Sequence, residues 1–356
     1  MSKKFQKMNL LNLKQQPSWV IWLLGVCAAV LIIFYTAIFL ITVVPANSNF
    51  SDTSGYKVKI QPKSGLSSIA RQMQEQGLSV NPFVLHISAR ALFVGSRLKP
   101  GTYLFPLNAG LGRILLQMAR GDRVRESIAI IPGMTIWQVR ALIDAHPALM
   151  HQTRSMSSKT LLAQLHLTYP SLEGALFPDT YVFDPEESDL VIYQRAAQAM
   201  QKQLLSAWSQ KNEASPLKTP YELLILASII EKETGKPSDR NLIAAVFLNR
   251  LKQGMKLQTD PTVIYGIGPK FDGNLRKADL TRNSPYNTYM QKGLPPTPIS
   301  MPSKESLLAA VTPADTRALF FVARGDGTSY FSTTLSEHES AVDQYQRKKT
   351  SPTQQH

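Results

Sequence analysis

Two glutamates, Glu231 and Glu233, close the apolar run in "PYELLILASIIEKETGK", residues Pro220 to Lys236. A carboxyl kept partly dry holds its proton to higher pH, because burial penalises the charged form. Such a group can act as a general acid, and cleavage of a glycosidic bond needs one to protonate the leaving oxygen. The competing reading is a solvated carboxylate at a helix end. That is the commoner case, although an acid there opposes the helix dipole. The helix start is well marked, with Thr219 as N-cap, Pro220 at the first helical position and Glu222 completing a capping box. Gly235 supplies a stop. At about 100° per residue from Leu223, Ala227 falls at about 40°, Glu231 at about 80°, Leu224 at about 100° and Glu233 at about 280°. Ile225, Ser228 and Lys232 take the back face. Both acids therefore touch apolar arcs, and the wheel leaves open which one is half-buried.

Other residues suited to chemistry lie downstream. Gln258 and Asp260 in "LQTDPT" have groups that hydrogen-bond hydroxyls, although Asp260-Pro261 also reads as a turn. Tyr286 and Asn287 in "SPYNTY" offer a stacking face and an amide, or simply a packed loop. Glu173 and Asp179 in "EGALFPDTY" either line a cleft or cap structure, and the structural role is favoured. His338 reads as a structural histidine. A hydrolase built on Ser228 and His338 is disfavoured because no G-x-S-x-G elbow is present. The six histidines are scattered, with no HExxH and no Cys/His spacing, so no metal site is expected. Cys27 is the single cysteine, which excludes an intramolecular disulfide.

These residues must be held by a sizeable fold. At 356 residues, 44% hydrophobic and 18% charged, the chain is long and apolar enough for about two globular domains. The net charge is +14, which suits a polyanionic partner or surface. Lys3, Lys4, Lys7 and Lys14 precede an uncharged run, Trp19–Val44, longer than the roughly 20 residues a helix needs to cross a bilayer. A signal peptide has a shorter apolar core and an A-x-A-like cleavage site, which "TVVPANSN" does not match. The lysines predict a cytoplasmic N-terminus and a body on the far side of the membrane. That topology argues against nucleic acid as partner.

The pattern divides into a tail (1–18), a transmembrane helix (19–44), a polar linker (45–55), a small module (56–124), a larger domain (125–345) and a polar tail (346–356). In the module, "YKVKI" and "GTYLF" read as strands flanking two helices, the second capped by Asn81 with Pro82 at its first position. This β-α-α-β order resembles the LysM-like fold of peptidoglycan-binding proteins. The larger domain reads as mixed helix and strand, giving an α+β class. It holds helices over 189–210, from Pro220 to a stop at Gly235, and over about 239–251, a loop-rich region after Gly254, and strands at "ALFFVAR" and "TSYFSTT".

Five consecutive segments, "EGALFPDTY", "LASIIEKET", "VFLNRLKQGMKLQTDPTVIYG", "SPYNTY" and "GLPPTPIS", resemble in order the motifs of the MltG/YceG family of endolytic murein transglycosylases. The resemblance covers about Leu172 to Pro302, with a weaker continuation to His338. It implies that Glu231, the first glutamate of "EKET", is the catalytic acid, and it favours Gln258, Asp260, Tyr286 and Asn287 as substrate-binding residues. It implies a membrane-anchored, periplasmic enzyme of the inner membrane that needs no cofactor. Such an enzyme cuts MurNAc–GlcNAc bonds of nascent glycan strands to leave 1,6-anhydro-MurNAc ends, ends strand elongation, and works beside peptidoglycan synthases. The alternative is a non-catalytic wall-binding anchor that positions those synthases.

Overall fold

The structure, a computed structural model, describes residues 18–41, 44–45, 55–107, 109–233 and 236–347. The tails, most of the linker and Gly235 lie outside the described residues. The chain divides into two compact units, Met1–Arg125 and Glu126–His356.

The first unit opens with a helix over Ser18–Leu40, 23 residues long, of which Ile38 alone is buried. It is long and apolar enough to span a bilayer. The module then runs strand Tyr56–Ile60, helix Leu66–Glu75, a short strand Leu78–Ser79, helix Pro82–Ala91, strand Gly101–Phe105 and helix Leu111–Arg120. The two long strands pair antiparallel, with Tyr56 opposite Phe105 and Ile60 opposite Gly101. The expected β-α-α-β order is therefore present, with the short strand inserted. Asn81 caps its helix by accepting from the N–H groups of Phe83 and Val84. Val58, Ile69, Met73, Leu85, Tyr103, Leu115 and Met118 form the core.

The second unit is mixed α and β. Its strands form only two-stranded pairs among the described residues: Glu126–Ala129 with Thr180–Phe183, Leu149–Met150 with Glu187–Ser188, and the hairpin Phe320–Ala323 with Ser329–Ser332. The first pair and the helix Asp189–Trp208 enclose one core, which includes Ile128, Ile143, Leu176 and Ile192. The helix Pro220–Glu233 is the centre of the other. Leu223 through Ile230 are all buried, Ile225 and Ser228 included. No side of this stretch faces solvent, because the helices Asp189–Trp208, Arg240–Lys252, Asp260–Ile267 and Lys304–Val311 all pack against it. A helix apolar on every side is a core helix. One expectation for the C-terminal part changes. The stretch after Gly254 carries a helix over Asp260–Ile267, with Pro261 in its first turn, where Pro is tolerated because that N–H has no intrahelical partner. His338 sits within the helix Leu335–Val342, started by a capping box at Thr334 and Glu337.

Candidate active site

The buried helix delivers its last residues to three different neighbours. Glu231 turns to the segment 298–303 and the helix that follows it. That segment is stitched to the core: the Ile299 N–H donates to Ser228 Oγ at 3.0 Å, and the Ser300 hydroxyl donates to the Ser228 carbonyl at 3.0 Å. Met301 exchanges backbone bonds with Gly133 and Met134 at 2.9 and 2.7 Å. Ser303 is the N-cap of the helix Lys304–Val311. Its N–H, at 2.9 Å, and its hydroxyl, at 2.5 Å, both donate to Glu231 Oε2, as does the Ser306 hydroxyl at 2.7 Å. The carboxyl thus takes up donors that a helix start leaves free. Oε1 has no hydrogen-bond partner among the described residues. Glu231 is half-buried.

Glu233 turns the other way. It accepts a very short hydrogen bond from the Thr259 hydroxyl. Burial pushes its carboxyl above the usual range, the Thr259 bond opposes this, and the Asp260 charge adds to it. Glu233 lines a cleft of about 550 Å³ together with Arg250, Gln258, Thr259, Asp260, Tyr289, Phe320 and His338. Gln258 and Asp260 are therefore gathered on the Glu233 flank. Gln258 sits at φ 52° and its side-chain oxygen accepts from Arg250 at 3.2 Å. Asp260 accepts from the Tyr289 hydroxyl at 2.6 Å. Arg250 is itself buried and also donates to the carbonyls of Leu319, Lys256 and Leu257, so it ties the cleft walls together.

Lys232, between the two acids, reaches the Gly133 carbonyl at 3.4 Å and faces Glu173. Glu173 is fully buried, and both its oxygens accept from the Ile136 N–H at the start of the helix Ile136–Asp144. Burial pushes its carboxyl from 4.5 up to about 7, against the pull of the Ile136 N–H, the Tyr265 hydroxyl, the Gly174 N–H and Lys232. Tyr265 stacks on Trp137 at 5.0 Å and lies 4.9 Å from Tyr286, forming an aromatic row above this carboxyl.

The raised Glu173 value fixes a sign. Between pH 4.5 and about 7 the folded chain keeps a proton that the unfolded chain has lost. Stability should therefore fall as pH rises through that window, by on the order of 3 kcal/mol, and lose nothing further from this group above it. Glu173→Gln keeps an acceptor for Ile136 and should flatten that slope relative to wild type. Urea unfolding of both proteins at pH 5 and pH 8 checks this, and equal slopes would reject it.

Tyr286 bonds through its hydroxyl to Thr297 Oγ1 at 2.9 Å and is partly buried. Asn287 is 1% exposed, and its amide donates to the carbonyls of Asp279, Leu280 and Arg282. That amide holds the end of the short helix Lys277–Thr281, so its reach to a ligand is already spent. Sequence reasoning did not single out Ser303, Ser306, Thr259, Arg250, Trp137 or Tyr265. Ser303 was the most accessible of them, since "SKES" before an apolar run is an N-cap signal.

The model of the YceG-like family matches residues 58–344. The chain belongs to the YceG-like family. This member is 36% identical over 236 residues to the endolytic murein transglycosylase of Bacillus subtilis, which covers 61% of this chain and 64% of that protein. It is 26% identical over 322 residues to the protein of the same name from Streptococcus pneumoniae, covering 81% of this chain and 58% of that protein. The matches thus span less than two thirds of either relative. A crystal structure of a YceG-like protein from Listeria monocytogenes aligns with a TM-score of 0.52 and 27% identity, over 81% of this chain and 99% of that one.

Proposed function

We propose that this YceG-like protein is an endolytic lytic transglycosylase of peptidoglycan with Glu231 as its catalytic acid. The observation that carries this reading is the Glu231 carboxyl at the end of a buried helix, with Oε2 fixed by three donors and Oε1 left open. The names of its relatives support the reaction class. Protonated Oε1 delivers its proton to the oxygen linking MurNAc to GlcNAc. The resulting carboxylate then draws the proton from the MurNAc 6-hydroxyl as that oxygen closes on C1. The intramolecular hydroxyl replaces an activated water, so no second catalytic carboxylate is required and proximity supplies much of the advantage. Gln258 and Asp260, with Tyr286, bind the glycan, while Asn287 acts by shaping its loop.

The helix Ser18–Leu40 anchors the chain in the inner membrane with the second unit outside the cytoplasm, and the module at 56–124 orients that unit on the wall. The nearly complete exposure of this helix supports the anchor. Deleting residues 18–41 should release the chain from membranes, and retention would reject the anchor. Mass spectrometry of sacculi digested by the purified protein tests the reaction itself. Internal cuts bearing 1,6-anhydro-MurNAc ends are expected. Binding to sacculi without new ends would favour the non-catalytic anchor.

A further inference from the structure

Asp144, His151 and Asp189 meet where three elements of the second unit end or begin. Asp144 closes the helix Ile136–Asp144, His151 follows the strand Leu149–Met150, and Asp189 opens the helix Asp189–Trp208. One ligand atom from each lies within 4.8 Å of the other two. Asp189 is 0% exposed, and the other two are half-buried. Asp189 is pre-oriented by the N–H groups of Gln152 and Thr153 and by the Thr153 hydroxyl at 2.8 Å. The neighbouring cations are spent on carbonyls: Arg140 donates to Thr153 and Met156, and Arg154 donates to the Asp144 carbonyl. Among the described residues, neither makes an ion pair with Asp144 or Asp189.

Two polar atoms here are buried without a hydrogen-bond partner among the described residues. One is His151 Nδ1, and the other is the Tyr193 hydroxyl. The Tyr193 side chain is 0% exposed; its hydroxyl lies beside the Thr153 side chain and faces Arg140, Asp144 and Asp189 electrostatically. Buried orphans are uncommon, and an ion or an ordered water is the usual reason for one.

We propose that Asp144, His151 and Asp189 bind a first-row divalent transition cation, with the Tyr193 hydroxyl bonded to a water on that ion. One imidazole and two carboxylates suit Zn²⁺ or Mn²⁺. Mg²⁺ and Ca²⁺ prefer all-oxygen sets. Two carboxylate charges balance the ion, and Thr153 and Gln152 hold the Asp189 ligand from behind, as outer partners do in metal sites. The three ligands are 7 and 38 residues apart in sequence, so no local spacing announces them. The ion would cross-link three elements of the domain and take no part in the cleavage step.

The test uses the full chain in detergent, stripped with a chelator and titrated separately with ZnCl₂, MnCl₂ and MgCl₂ by calorimetry, with thermal unfolding in parallel. About one saturable equivalent of Zn²⁺ or Mn²⁺ and a higher Tm with the ion are expected. His151→Ala and Asp144→Asn should remove that site, and Tyr193→Phe should weaken it roughly 10–100-fold. Asp144→Asn keeps shape and guards against a histidine variant that does not fold. No saturable binding to wild type, unchanged binding in both ligand variants, or binding of Mg²⁺ alone would each overturn the proposal.

Discussion

Glu231→Gln is expected to lower the rate of glycan cleavage roughly 10²–10⁴-fold, the usual contribution of a general acid. The amide fills the same space, and its oxygen still accepts from Ser303 and Ser306, which in wild type bond to Oε2 at 2.5–2.9 Å. Folding and affinity for glycan should therefore survive, and the loss should fall on kcat. Steady-state rates on soluble glycan chains, with unfolding curves as control, read this out. A near wild-type kcat would remove Glu231 from the chemistry.

Gly174→Ala should produce the second large effect, in stability. Gly174 sits at φ +73°, and a Cβ there would come within 2.6 and 2.7 Å of Pro298 Cβ and Cγ. Neither the proline ring nor the backbone around it can yield cheaply, so a cost on the order of 3 kcal/mol is expected. The damage would pass from Pro298 into Ile299, Ser300 and Ser303, the residues that hold Ser228 and Glu231. Activity of the remaining folded protein should fall as well. Gly254→Ala is the control: φ is +63° but nothing lies within 4 Å, so it carries the backbone strain without the collision. Equal urea midpoints for the two variants would show that the Pro298 contact does not matter.

The legible features were local. Asn81 with Pro82, Thr219 with Pro220, and the alternation of Tyr56–Ile60 each fix a boundary through groups a few residues apart, and each element begins where those groups place it. The Pro220 helix read as a buried one, but its cover on every side depends on four helices from elsewhere in the chain, which a helix wheel does not contain. The wheel also could not separate Glu231 from Glu233, since their difference lies in partners far along the chain, Ser303 and Thr259. For Asn287 the sequence left a ligand-binding amide and a packed loop both open, because the carbonyls it serves come from a helix whose five residues give almost no periodic signal. Glu173 looked structural, and it does cap a helix start, but its complete burial depends on the fold around Tyr265 and Lys232.

In the proposed mechanism Glu231, rather than Glu233, protonates the glycosidic oxygen. Glu233 is the real competitor: burial raises its carboxyl, and it lines the cleft with Gln258 and Asp260. The most direct measurement is the yield of 1,6-anhydro-MurNAc ends from Glu231→Gln and Glu233→Gln, side by side, on the same sacculi with folding verified. The first variant should yield almost no anhydro ends, and the second should keep most of the wild-type yield. A normal yield from Glu231→Gln together with loss in Glu233→Gln would contradict this mechanism and move the acid to the Thr259 flank.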